Sequence, residues 1–184
     1  MKVLTSLVIT IAAVSASAIR EASSPPSVCA PGTDVIVNST VVDGQVLYHG
    51  ACQTAQDLKV RAVKDELMKR DRNVCGAPCT TYCNSGTGGP DPNDCSSLAS
   101  GLPSGGFTLG AGQIRYWNWG SCQAYLTNKA SEGMYECYDQ GSLGGIINYL
   151  AWNCQASTSG GPYLGGSCHF YDNTGIGWVQ VETY

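Results

Sequence analysis

Charge is what this sequence has least of: Asp, Glu, Lys and Arg make up 13% of its 184 residues, about half the share in an ordinary soluble domain. Ten basic residues face 14 acidic ones, for a formal net charge of −4. No positive field is therefore available to neutralise phosphates or anionic headgroups, and nucleic acid is not an expected partner. Histidine occurs only at His49 and His169, and neither has a second ligand at metal-binding spacing. The sequence has no G-x-S-x-G, no H-E-x-x-H and no phosphate-binding loop, since its glycine-rich stretches lack the lysine and the strand-to-helix setting such loops need. No metal or cofactor is expected. After residue 18 no apolar run approaches the length needed to cross a bilayer, about 20 residues.

What the chain does have is 10 cysteines and 23 glycines, the composition of a loop-rich fold that depends partly on covalent cross-links. Met1 and Lys2, an apolar stretch over residues 3 to 14, and the small-residue site Ala16-Ser17-Ala18 together read as a signal peptide over residues 1 to 18. That predicts a secreted, extracellular product without a membrane span. Cys29, Cys52, Cys75, Cys79, Cys83, Cys95, Cys122, Cys137, Cys154 and Cys168 all follow the cleavage site. In an oxidising compartment an even set of this kind implies disulfides whose pairing the sequence does not reveal. The competing reading is a metal site made by Cys75, Cys79, Cys83 and Cys95. It suffers from unusual spacing and from Gly76 and Pro78, which break the helix that would bring the sulfurs together.

Residues 19 to 28 read as a flexible leader and 29 to 83 as an N-terminal hairpin and helix segment. Two β-branched runs flank Asp43-Gly44, a hairpin signal. Asn38-Ser39-Thr40 is a glycosylation acceptor for a chain in the secretory path. Helical periodicity over residues 53 to 72 ends near Lys69-Arg70, a dibasic pair with two cysteines before it and eight after. A breaker-rich linker precedes the cysteine-rich core, residues 91 to 184. There Asp91 and Pro92 open a helix that Gly101 and Pro103 close. Strands are expected at 107 to 109, 113 to 119 and 121 to 127, a helix at 142 to 154, and a closing hairpin at 169 to 171 and 176 to 183. The predicted class is α+β, a disulfide-rich two-layer sandwich with helices packed on a mostly antiparallel sheet.

For chemistry, glycoside hydrolysis needs only two suitably separated carboxylates, and Asp91, Asp94, Glu132, Glu136, Asp139 and Asp172 fall in or beside expected loops. Asp91, Asp94 and Asp172 have simpler uses in caps and turns. His169 adjoins Cys168, but a cysteine in a disulfide offers no thiolate. The stronger signal is Tyr116-Trp117-Asn118-Trp119. Strand alternation puts Tyr116 on one face and the two tryptophans on the other, and in a two-layer sandwich one face is open. An exposed aromatic set with Asn118 would suit a sugar ring or a protein groove, while the competing reading puts both tryptophans in the core.

The order Asn93-Asp94-Cys95, Leu98-Ala99, a glycine-rich turn, a strand and then Trp119-Gly120-Ser121-Cys122-Gln123-Ala124-Tyr125 resembles the central part of the necrosis-inducing-factor domain of fungal secreted effectors. Residues 139 to 154, 160 to 166 and Trp178 follow the same plan, so the likeness covers residues 91 to 184. The plan also looks like killer-toxin-type folds. The resemblance implies a secreted, non-enzymatic effector or toxin-like protein that binds a cell-surface or extracellular partner; it carries over no catalytic residue. A lectin-like glycan-binding protein is the alternative, ahead of a small carbohydrate-active hydrolase. No feature sets an oligomeric state.

Overall fold

The structure, a computed structural model, describes residues 28–31, 33–42, 45–53, 71–86, 88–155, 162–170 and 177–183. The expected signal peptide, the leader up to residue 27, residues 54–70 of the helix expected over 53–72 with Lys69-Arg70, Asp172 and the turn at 173–175 lie outside the described residues, while Gln53 and Arg72, the ends of that expected helix, are in strands. The elements are β1 (Asp34–Val42), β2 (Gln45–Gln53), β3 (Arg72–Asn73), β4 (Cys79–Cys83), α1 (Pro92–Gly101), β5 (Gly106–Leu109), β6 (Ile114–Trp119), β7 (Cys122–Asn128), β8 (Met134–Cys137), α2 (Leu143–Asn153), β9 (Gly166–Phe170) and β10 (Gly177–Thr183).

Seven strands form one sheet in the order β1-β2-β6-β7-β10-β9-β4, with every neighbouring pair antiparallel. A smaller sheet has the order β3-β8-β5, with β3 and β8 parallel. The described fold is thus dominated by antiparallel sheet and carries two helices and five disulfides. Residues 29–83 are not set apart from the later chain: β2 pairs with β6, and β4 with β9, in the same sheet.

Period-2 alternation builds the core. Trp117 and Trp119 lie opposite Ala124 and Cys122, Val179 and Val181 lie opposite Leu126 and Ala124, and Cys168 lies opposite Val179. All of these side chains are buried in one apolar cluster. Helix α1 contacts β6 and β7, α2 contacts β9 and β10, and the helices contact each other. The sequence periodicities account for both. Asp91 caps α1 by accepting a bond from the Asn93 N–H at 2.8 Å, Pro92 holds the first position, and Cys95, Leu98 and Ala99 face inward. Leu143, Ile147, Leu150 and Ala151 form the buried stripe of α2. Ser142 precedes that helix without capping it; its hydroxyl accepts instead from the Gly76 N–H at 2.9 Å.

The disulfides pair Cys29 with Cys52, Cys75 with Cys137, Cys79 with Cys168, Cys83 with Cys154 and Cys95 with Cys122. The alternative metal site fails for a geometric reason. Cys79 and Cys83 begin and end an extended strand, so their α-carbons stand about 13 Å apart, and each sulfur bonds to a distant element.

Candidate functional site

The four residues expected to form an exposed aromatic surface are all interior, which corrects that expectation. On β6, Trp117 and Trp119 are 1% and 8% exposed within the main core, while Tyr116 and Asn118 on the opposite face are 3% and 1% exposed. Both faces are covered at this point. Trp117 meets Phe107 and Tyr138 at centroid distances of 5.4 and 6.1 Å. Tyr116 packs with the Cys29–Cys52 pair and Val28, the last residue of the expected leader and the first described residue. Asn118 accepts from the Gln123 amide at 2.9 Å. On this second face, burial, with Glu182 alongside, pushes the Tyr125 hydroxyl up to about 12. With side chains buried on both faces of β6, this strand has no open face of the kind a two-layer sandwich leaves.

The carboxylates serve local structure. Asp91 caps α1, Asp94 accepts from the Ser121 N–H and hydroxyl at 2.8 and 2.7 Å, and Asp139 accepts from the Gly141 N–H at 2.9 Å. Glu132 bonds Asn128 through its backbone carbonyl. Glu136 is fully buried in β8 rather than placed in a loop. These contacts give the Asp91, Asp94 and Asp139 carboxylates structural tasks. The histidines lie apart in the sheet, on β2 and β9. Burial and the nearby Arg115 lower the pKa of His49, and burial and Lys129 lower that of His169. His169 sits 3.2 Å from the Ser167 hydroxyl and 4.8 Å from the Tyr82 ring, but Cys168 beside it is disulfide-bonded.

The aromatic surface lies elsewhere. Trp152, near the end of α2, is 40% exposed and meets Tyr163 edge-on at 5.6 Å. Its indole N–H donates to the Ser96 hydroxyl at 2.9 Å, which fixes the ring against α1. The two rings border a groove of about 490 Å³ whose other wall is the segment from Gly88 to Asn93, with Ser121. The Asp91 N–H donates to the Ser121 hydroxyl at 2.9 Å and the Gly89 N–H to the Tyr163 carbonyl at 3.0 Å, so both walls are tied down. Cys95–Cys122 and Cys83–Cys154 anchor the elements on either side. One Asp91 oxygen is used by the Asn93 N–H and amide, which among the described residues leaves the second Asp91 oxygen and the Asn93 side-chain oxygen as acceptors at an exposed rim. Trp152 was detectable in the sequence, because it falls off the apolar stripe of its helix.

A second groove, of about 500 Å³, runs between β4 and α2 and is lined by Thr80, Thr81, Ile146 and Tyr149. β4 is an outer strand of the sheet. The Asn84 N–H donates to the Gly165 carbonyl at 3.1 Å, so alternation aims the backbone groups of Cys79, Thr81 and Cys83 away from β9.

Among the described residues no cluster of three or more His, Cys, Asp or Glu side chains could hold a metal ion, and no helix is long and apolar enough to cross a membrane. No protein-family model matches the chain, and no curated protein or solved structure matches it.

Proposed function

We propose that this is an extracellular, non-catalytic binding protein that holds a sugar ring of a surface glycan in the groove between Trp152 and the segment 88–93. The observation that carries the reading is the pairing of an exposed, anchored indole with the free acceptors of Asp91 and Asn93 across one groove. An aromatic face takes the apolar side of a sugar ring while carboxylate and amide oxygens accept from its hydroxyls. Five disulfides fit the oxidising exterior, and they make the groove rigid before it is occupied, which lowers the entropy cost of binding. The contacts of both helices with the large sheet support a two-layer sandwich as its architecture. Such a module suits the effector or toxin-like role implied by the resemblance of residues 91 to 184, with the glycan as the target on another cell.

A glycan array probed with the secreted protein should show discrete ligands. Trp152→Ala should weaken them by at least about tenfold, equivalent to about 1.4 kcal/mol, with disulfide map and circular dichroism unchanged. An empty array, or full retention by Trp152→Ala, would overturn the reading. The outward backbone of β4 favours a second one, in which an extended segment of a protein partner adds to that strand; binding of that kind would survive Trp152→Ala.

A further inference from the structure

The other outer strand of the large sheet is β1, which among the described residues pairs with β2 alone. It is nine residues long, and a long free edge is a template for pairing with a second chain. The hazard is greatest at its far end. β2 meets β6 only from Tyr48 to Cys52, so the end of the β1–β2 hairpin extends past the neighbouring strand. There Val41 and Val46 lie opposite each other, both exposed, Val41 by 68%. No lysine or proline blunts this edge, since its sequence is DVIVNSTVV.

Asn38, Ser39 and Thr40 stand in the middle of β1 and are all exposed. Asn38 is also the only asparagine in the whole sequence followed by x-Ser or x-Thr. We propose that Asn38 carries an N-linked oligosaccharide and that this glycan shields the β1 edge from strand pairing. In the transfer, the Asn38 side-chain nitrogen bonds to the anomeric carbon of a polyprenyl-diphosphate-linked oligosaccharide. The bond from that carbon to the diphosphate breaks, the amide loses one proton, and the polyprenyl diphosphate leaves. Transfer precedes folding in the secretory path, so the strand conformation is no obstacle, and the exposed edge accommodates the sugar afterwards. A second strand would have to approach β1 to about 4.8 Å. A branched sugar at the central position blocks every register that could pair most of the strand.

This inference rests on the extracellular reading, and the experiment separates the two. The chain and its Asn38→Gln, Thr40→Ala and Thr40→Ser variants are expressed in a eukaryotic secretory host, and protein from the medium is weighed intact before and after peptide-N-glycosidase. The parent and Thr40→Ser should carry a mass removable by the enzyme; Asn38→Gln and Thr40→Ala should not. In sedimentation runs the glycosylated forms should stay monomeric, and the two bare variants and the enzyme-treated parent should associate as concentration rises. Val41→Lys in the Thr40→Ala background should restore the monomer. Parent protein in the medium at its unmodified mass overturns the site while the extracellular reading stands, and retention inside the cell overturns that reading and the site with it. Bare variants and enzyme-treated parent that all remain monomeric overturn the shielding role.

Discussion

At the scale of single residues, Glu136 shows how far position overrides residue type. Its side chain has no solvent exposure; one oxygen accepts from the Cys137 N–H at 3.1 Å and the other has no partner among the described residues. Burial pushes its pKa up from 4.5 to about 8, against the Cys137 bond and with help from Asp139. Between those values the folded chain keeps a proton that the unfolded chain has released. The contribution of Glu136 to stability is therefore fully present below about pH 4.5 and is lost as pH rises to about 8, at about 1.4 kcal/mol per pH unit. Glu136→Gln keeps the shape without the titration. Urea unfolding across this range should show a shallower fall for the variant and greater stability than the parent at pH 8; parallel curves would show that Glu136 ionises freely in the fold. In the sequence this residue reads as a loop carboxylate. The alternation of Met134 and Glu136 onto one side of a short strand was available, but a charged side chain argues against burial and conceals the strand.

At the scale of elements, what could be read depended on whether the cause was local. Helix α1 could be read from its cap and its proline, and α2 from its stripe, because each signal lies within the element. The hairpin of β6 and β7 was equally legible, and its turn depends on Gly120, which holds φ +54°. A Cβ there would stand 2.5 Å from the Asp94 carboxylate that bonds Ser121. Gly120→Ala should cost at least about 1 kcal/mol from backbone strain, with more from the displaced carboxylate, read as a lowered melting temperature. An unchanged melting temperature would mean that the turn relaxes freely. Strands β3 and β4 escaped the sequence reading because their reasons are remote. β3 has two residues and takes its place beside β8, and Cys75, just beyond it, is bridged to Cys137 across 62 positions. Only the fold brings Tyr163 to Trp152, because nothing local in the sequence places the two rings together.

For the whole molecule, the informative pattern is how the bridges divide. Cys29–Cys52 closes on itself inside the first hairpin, while the other four link residues from 75 to 168. The even cysteine counts on either side of Lys69-Arg70 are visible in the sequence; the pairings are not, because they join residues up to 89 positions apart. A chain with an engineered cut after Arg70 should separate into two pieces on a denaturing gel without reductant. In native solution the pieces should travel together, held by the β2–β6 ladder and the cluster around Tyr116. A single band in the denaturing gel would require a bridge between the two sets.

Viewed as plumbing, the covalent skeleton consists of two closed circuits on one string, and the string between them carries no rivet. A fragment starting at residue 71 would keep four clasps of its own and leave one flank of β6 bare. The first hairpin is then a removable shutter over that flank, fastened by backbone bonds and Tyr116 rather than by sulfur.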